Sequence, residues 1–198
     1  MKYLYWSFEP ARLGAIAVMV LACSCGGTQA NHTGTTPAQV RGSEQAPDAP
    51  EASEGVAARP PDFELEALNG DFVRLSDHLG KQVVLIDFWA TFCHPCLTSM
   101  PHLEELYQKY RDQGFLVLGV SIDGPDSIAQ VRGEVARLGV TFPILLDQET
   151  QVVALYNPKT SAPFSVLIGR DGRVLTKKEG YTTSSGSQLE ADIVQALQ

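Results

Sequence analysis

Beyond about residue 60 the apolar positions fall into strand-like and helix-like runs, whereas from Ser24 to Arg59 they follow no period. The most continuous run, Val83 to Trp89, is interrupted by a single acid, Asp87, and predicts a central strand buried on both faces. Leu97, Met100, Leu103, Leu106, Tyr107 and Tyr110 then recur at three- and four-residue steps, the spacing of an amphipathic helix. Phe115 to Ile122 is a second buried run. Strand, helix and strand make a crossover unit, so the two strands are expected to be parallel. Ile128, Val131, Val135 and Leu138 line another helical face, closed by Gly139.

Shorter signals complete the pattern. Phe63 to Leu65 and Phe72 to Leu75, joined through Asn69-Gly70-Asp71, predict a β-hairpin ahead of the main fold. Phe142 to Leu146 predicts a short strand, and Val152 to Tyr156 a short helix. Ala162 to Gly169 is a strand with Pro163 at its start. Arg170-Asp-Gly-Arg173 is a tight turn, and Val174 to Tyr181 returns as an antiparallel edge strand. Leu189, Ile193 and Leu197 mark a closing helix. The fold class is α/β: a mixed central sheet with helices on both faces and an N-terminal hairpin, in one domain over residues 60–198.

The first 59 residues divide differently. Residues 1–25 have the layout of a signal peptide: Lys2 and Arg12 precede an apolar core, Leu13 to Ala22, that is too short to span a bilayer comfortably. The core ends in Val20-Leu-Ala-Cys23-Ser-Cys25, a small-residue step into cysteine that resembles a lipoprotein cleavage site. Cys23 is the candidate for lipidation and Cys25 the alternative. Residues 24–59, rich in Gly, Thr, Ala, Pro, Ser and Gln, hold too little apolar surface to offset the entropy of ordering and are expected to form a flexible tether. His32 falls in this tether as a solvated polar residue. The domain is therefore expected outside the cytoplasm, where thiols are not kept reduced by a glutathione pool.

The chain carries a formal charge of −8 with no basic stripe, which argues against nucleic acid as a partner. The chemistry lies in the cysteines. Cys93-His94-Pro95-Cys96 stands where the buried strand gives way to the helix. Free backbone N–H groups and the helix dipole favour a thiolate at Cys93, which is expected at the surface as the nucleophile. Cys96, one turn inside, is expected to resolve the mixed disulfide with a substrate. Zinc would need four ligands, and no second cysteine pair or His-x-His group occurs in the domain. No metal and no cofactor beyond the redox-active Cys93–Cys96 disulfide is expected. His94 places a titratable cation beside Cys93, lowering its pKa and making the disulfide more oxidising. Pro95 stiffens a helix start, where its missing N–H costs nothing.

Asp87-Phe-Trp-Ala-Thr-Phe-Cys93-His-Pro-Cys96, with Pro101 five residues on, resembles the active-site segment of the thioredoxin superfamily. The lead-in from Pro61-Asp-Phe-Glu-Leu65 to Gly80-Lys81 is similar to the TlpA/ResA-like branch of extracytoplasmic redoxins. The resemblance covers about residues 60–185. It implies a thioredoxin-like fold and thiol–disulfide exchange with protein disulfide or dithiol substrates, with a membrane electron donor and a role in cytochrome c maturation or disulfide repair. Pro163 matches the position of a cis-proline facing the active cysteines, although Phe164 stands where the family usually has Thr. Asp87, costly to bury, matches the acid that exchanges protons with the second cysteine. The TlpA/ResA-like branch more often has Asn there and a Glu three residues after the second cysteine, where this chain has Ser99. Trp89 and Phe92 are expected to pack in core and loop, with Phe92 also contributing an apolar docking surface.

Two other functions compete with this one on the same residues. Peroxiredoxins share the frame, but their P-x-x-x-T-x-x-C pattern requires Pro and Thr where Ile86 and Ala90 stand. Copper delivery suits the soft thiolates of C-x-x-C. Copper chaperones on this fold add a distant downstream His, whereas His32, His78, His94 and His102 leave none beyond the active helix.

Overall fold

The computed structural model describes residues 58–198. The expected signal peptide, the expected tether up to residue 57 and the lipidation candidates Cys23 and Cys25 lie outside the described residues. The main sheet has five strands in the order β5-β4-β3-β6-β7. β3 (Val83–Trp89), β4 (Phe115–Ser121) and β5 (Ile144–Leu146) run parallel, while β6 (Phe164–Ile168) is antiparallel to β3 and β7 (Val174–Glu179) antiparallel to β6. The apolar runs that predicted central strands are β3 and β4, and all their residues are buried.

Alternation along β3 builds a core on each side. Val83, Leu85 and Trp89 pack with Met100, Leu103 and Leu106 of α1 (His94–Tyr110), Val131 of α2 (Ile128–Leu138), and Leu189 and Ile193 of α4 (Thr183–Leu197). Val84, Ile86 and Phe88 pack on the other side with Phe63 and with Val152, Val153 and Tyr156 of α3 (Gln151–Tyr156). α4 is capped at its start by Thr182, whose hydroxyl accepts from the Ser185 N–H while the Ser185 hydroxyl accepts from the Thr182 N–H.

The hairpin exists as a separate two-stranded sheet, β1 (Glu64–Glu66) with β2 (Phe72–Arg74). It docks on the main sheet through a bridge from Ala67 to Leu145 and a bond from the Leu68 N–H to the Ile144 carbonyl, which covers the β5 edge. Boundaries depart from the sequence pattern where backbone chemistry intervenes. β5 begins at Ile144 because Pro143 has no N–H for the ladder, and β7 stops at Glu179 because Gly180 takes a left-handed conformation (φ 80°).

Candidate active site at the junction of strand and helix

β3 ends at Trp89, and a tight turn closed by the Cys93 N–H and the Ala90 carbonyl (3.0 Å) delivers Cys93 to the start of α1. Cys93 is the residue that caps the helix: its Sγ accepts from the Cys96 N–H at 3.3 Å. The helix thus aims its free N–H groups and positive dipole end at that sulfur. His94 and Pro95 form the first helical positions, both exposed. Cys93 and Cys96 are joined by a disulfide with an S–S distance of 2.00 Å.

Cys93 is not the exposed sulfur the sequence led us to expect. Its residue is only 7% accessible, against 0% for Cys96. The reason is packing: both cysteines belong to the buried cluster that holds Trp89, Ala90 and Met100, and Ala162 rests on the same cluster. The rim position belongs instead to Phe92, 78% exposed, which contributes nothing to the core. Trp89, by contrast, is wholly buried.

The Ala162–Pro163 peptide is cis. Phe164 pairs with Phe88, so Pro163 stands level with Trp89 at the active-site end of the sheet. The Phe164 ring turns to the opposite face, 6.1 Å from Phe88. Ser99, at the position where the TlpA/ResA-like branch more often has Glu, is buried and donates its hydroxyl to the Cys96 carbonyl at 2.8 Å.

Asp87 lies on the face of β3 that carries Leu85 and Trp89, opposite Gly119 of β4 and Ser165 of β6. Burial pushes its carboxyl up to about 7. Asp87 Oδ2 and Trp89 Nε1 have no hydrogen-bond partner, the two such buried side-chain atoms among the described residues. An acceptor and a donor thus stand unsatisfied two residues apart on one strand, on the face whose core cluster includes both cysteines. Tyr181, raised by its own burial and then by the charges of Glu105 and Asp87, donates to or accepts from His102 Nδ1 at 3.0 Å nearby.

Sequence reasoning passed over a second buried acid. Asp123, 4% exposed, accepts from the Thr91 N–H at 3.0 and 3.2 Å, from the Thr91 hydroxyl at 2.6 Å and from the Ser121 hydroxyl at 2.8 Å. The available signal was Ser121-Ile-Asp123, two polar residues closing an otherwise apolar strand.

Two cysteines able to form a disulfide at a helix start, beside an acid held near neutrality, are equipped to exchange disulfides with a partner. Comparison with known proteins agrees. The AhpC/TSA family model matches residues 56–177. A thiol-disulfide oxidoreductase ResA of Geobacillus thermodenitrificans is 38% identical over 143 residues, covering 72% of this chain and 76% of that protein. ResA of Geobacillus kaustophilus is 41% identical over 119 residues, 60% of this chain and 66% of that protein, just under two thirds of its length. Among solved structures, a Chlorobium tepidum protein assigned as the thiol:disulfide interchange protein DsbE is 34% identical with a TM-score of 0.66, covering 72% of this chain and 97% of that one. This chain belongs to the AhpC/TSA family, as one of its ResA-like, thioredoxin-fold thiol-disulfide oxidoreductases.

Proposed function

We propose that the protein reduces disulfides of protein substrates outside the cytoplasm, with Cys93 attacking and Cys96 resolving. The observation that supports this assignment is the position of Cys93 at the cap of α1, where the helix N-terminus stabilises its thiolate. In the forward half-reaction the Cys93 thiolate attacks one sulfur of a substrate disulfide. The substrate S–S bond breaks and one substrate thiolate leaves. The Cys96 thiolate then attacks the Cys93 sulfur, releasing the second substrate thiolate and closing the Cys93–Cys96 disulfide. Two electrons pass from protein to substrate. Cys96, wholly buried, must lose a proton for that second step, and Asp87 is the acceptor we assign. A membrane electron donor would return the protein to its dithiol form, with the disulfide as its only redox group.

Phe92, exposed beside Cys93, gives an extended substrate an apolar contact, on the rim of a groove that also includes Thr91, Gln130, Gly133 and Glu134. His94, next in the chain after Cys93, is exposed to the same approaching substrate. Cys23, or Cys25, would carry the lipid that tethers the domain to a membrane. Apocytochrome c awaiting haem attachment is a substrate that fits such a reductase. The test is trapping: in full-length Cys96→Ser the mixed disulfide cannot be resolved, so substrates should accumulate covalently on Cys93 and be identified by mass spectrometry. Absence of any Cys93-linked protein under oxidising conditions would contradict the assignment.

A further inference from the structure

We infer that Asp123 is a positioning residue for thiol–disulfide exchange, holding Cys93 at the helix start through Thr91. Asp123 follows directly on the end of β4, where the Ile122 N–H still bonds the Trp89 carbonyl at 2.9 Å and keeps β3 and β4 in register. From there its carboxylate crosses to the turn after β3. One oxygen lies 3.2 Å from the Thr91 N–H and 2.6 Å from its hydroxyl; the other lies 3.0 Å from the Thr91 N–H and 2.8 Å from the Ser121 hydroxyl. The Ser121 Oγ in turn accepts from the Asp123 N–H at 3.2 Å. Ser121 is fully buried and Asp123 nearly so, so these bonds face little competition from water.

What the clamp fixes is the corner of the chain just before the nucleophile. Thr91 precedes Phe92, whose side chain makes no core contact to hold it, and Phe92 precedes Cys93. Between the end of β3 and the cap of α1, the backbone is held by the Ala90–Cys93 turn bond and by Asp123. Loosening Thr91 lets Cys93 drift from the N–H groups that stabilise its thiolate and from the geometry of in-line attack. A displacement of about 1 Å at a reacting atom can cost on the order of a hundredfold in rate.

The inference rests on Cys93 being the attacking thiol, and one experiment separates the two. The reduced full-length chain is alkylated with iodoacetamide across pH, and the rate and pH midpoint at each cysteine are read by peptide mass spectrometry. Thr91→Val keeps the shape but removes the hydroxyl. It should slow Cys93 labelling near neutral pH by about three- to thirtyfold and move its pH midpoint upward. Thr91→Ser, which restores the hydroxyl, should recover most of that loss. Asp123→Asn combined with Thr91→Val should be no slower than the slower single variant, because both act on one contact. His94, Asp87 and Glu134, the titratable groups around the turn and its groove, stay in place throughout. Unchanged Cys93 rate and midpoint in Thr91→Val, even with a lower melting temperature, would overturn the positioning role, as would no recovery in Thr91→Ser. Should Asp123→Asn not fold, the two Thr91 variants still decide. First labelling of Cys96 in the unmutated protein would instead remove the underlying assignment of the nucleophile.

Discussion

Asp87 costs the fold stability in a way that depends on pH. Its carboxyl titrates near 7 in the folded protein because burial disfavours the charge, against about 4 in an unfolded chain. Between those values the unfolded state ionises while the folded state holds its proton, so stability falls as pH rises from about 4 to about 7 and stays low above it. Asp87→Asn removes the ionisation. In the oxidised protein, denaturant unfolding should show it more stable than the parent by up to about 4 kcal/mol at pH 8, with the gap closing towards pH 4. A gap that does not vary with pH would mean the carboxylate is not being desolvated. The same change should slow resolution of the mixed disulfide by about ten- to a thousandfold, read by stopped flow, if Asp87 is the proton acceptor. Ser99→Ala should leave that rate alone, since the Ser99 hydroxyl is already donated to the Cys96 carbonyl. Asp87 was legible in the sequence because an acid inside Val83–Trp89 has no cheap place to go. Asp123 was not, because its partner Thr91 lies 32 residues away and only the parallel β3–β4 register brings them together.

At the level of elements, β3 and β4 are held at close quarters by what they lack. Gly119, opposite Asp87 on β4, leaves space that Phe142 and Ile144 fill: a Cβ there would stand 2.9 Å from the Phe142 ring and 2.8 Å from Ile144 Cδ1. Both side chains are buried and would have to shift to admit it, so Gly119→Ala should destabilise by about 1–3 kcal/mol, measurable by chemical denaturation. A neutral outcome would mean that this layer repacks freely. Long periodic elements were legible almost to the residue: β3 spans Val83–Trp89 and α2 ends before Gly139, both as the pattern predicts. The docking of the hairpin on β5 was not, since it rests on Ala67 and Leu68, residues that carry no signal of their own. The burial of Cys93 escaped for a similar reason. A helix-start position fixes where its backbone lies, but the side chain follows the packing of Trp89, Ala90 and Ala162.

Across the whole folded domain, the chain arrives at the end opposite the disulfide. The Val174 N–H bonds the Ala58 carbonyl, and Val174 pairs with Ile168, which pairs with Val84 near the start of β3. Trp89, beside the active cysteines, is five residues further along that strand, about 16 Å at the usual rise. If residues 24–59 form a flexible tether, as their composition predicts, they add a reach of roughly 30 Å. Cys23→Ala should then abolish lipidation and release the protein from the membrane fraction, whereas unchanged processing and membrane association in both Cys23→Ala and Cys25→Ala would exclude the anchor.

The assignment of the two sulfurs underlies the exchange chemistry at every scale, and one measurement addresses it directly. The full-length protein is reduced, alkylated briefly near pH 7 with a limiting amount of iodoacetamide, and mapped by peptide mass spectrometry. Cys93, at the cap of α1 and the less buried of the pair, should be modified first, with Cys96 protected. Preferential modification of Cys96 would contradict the account.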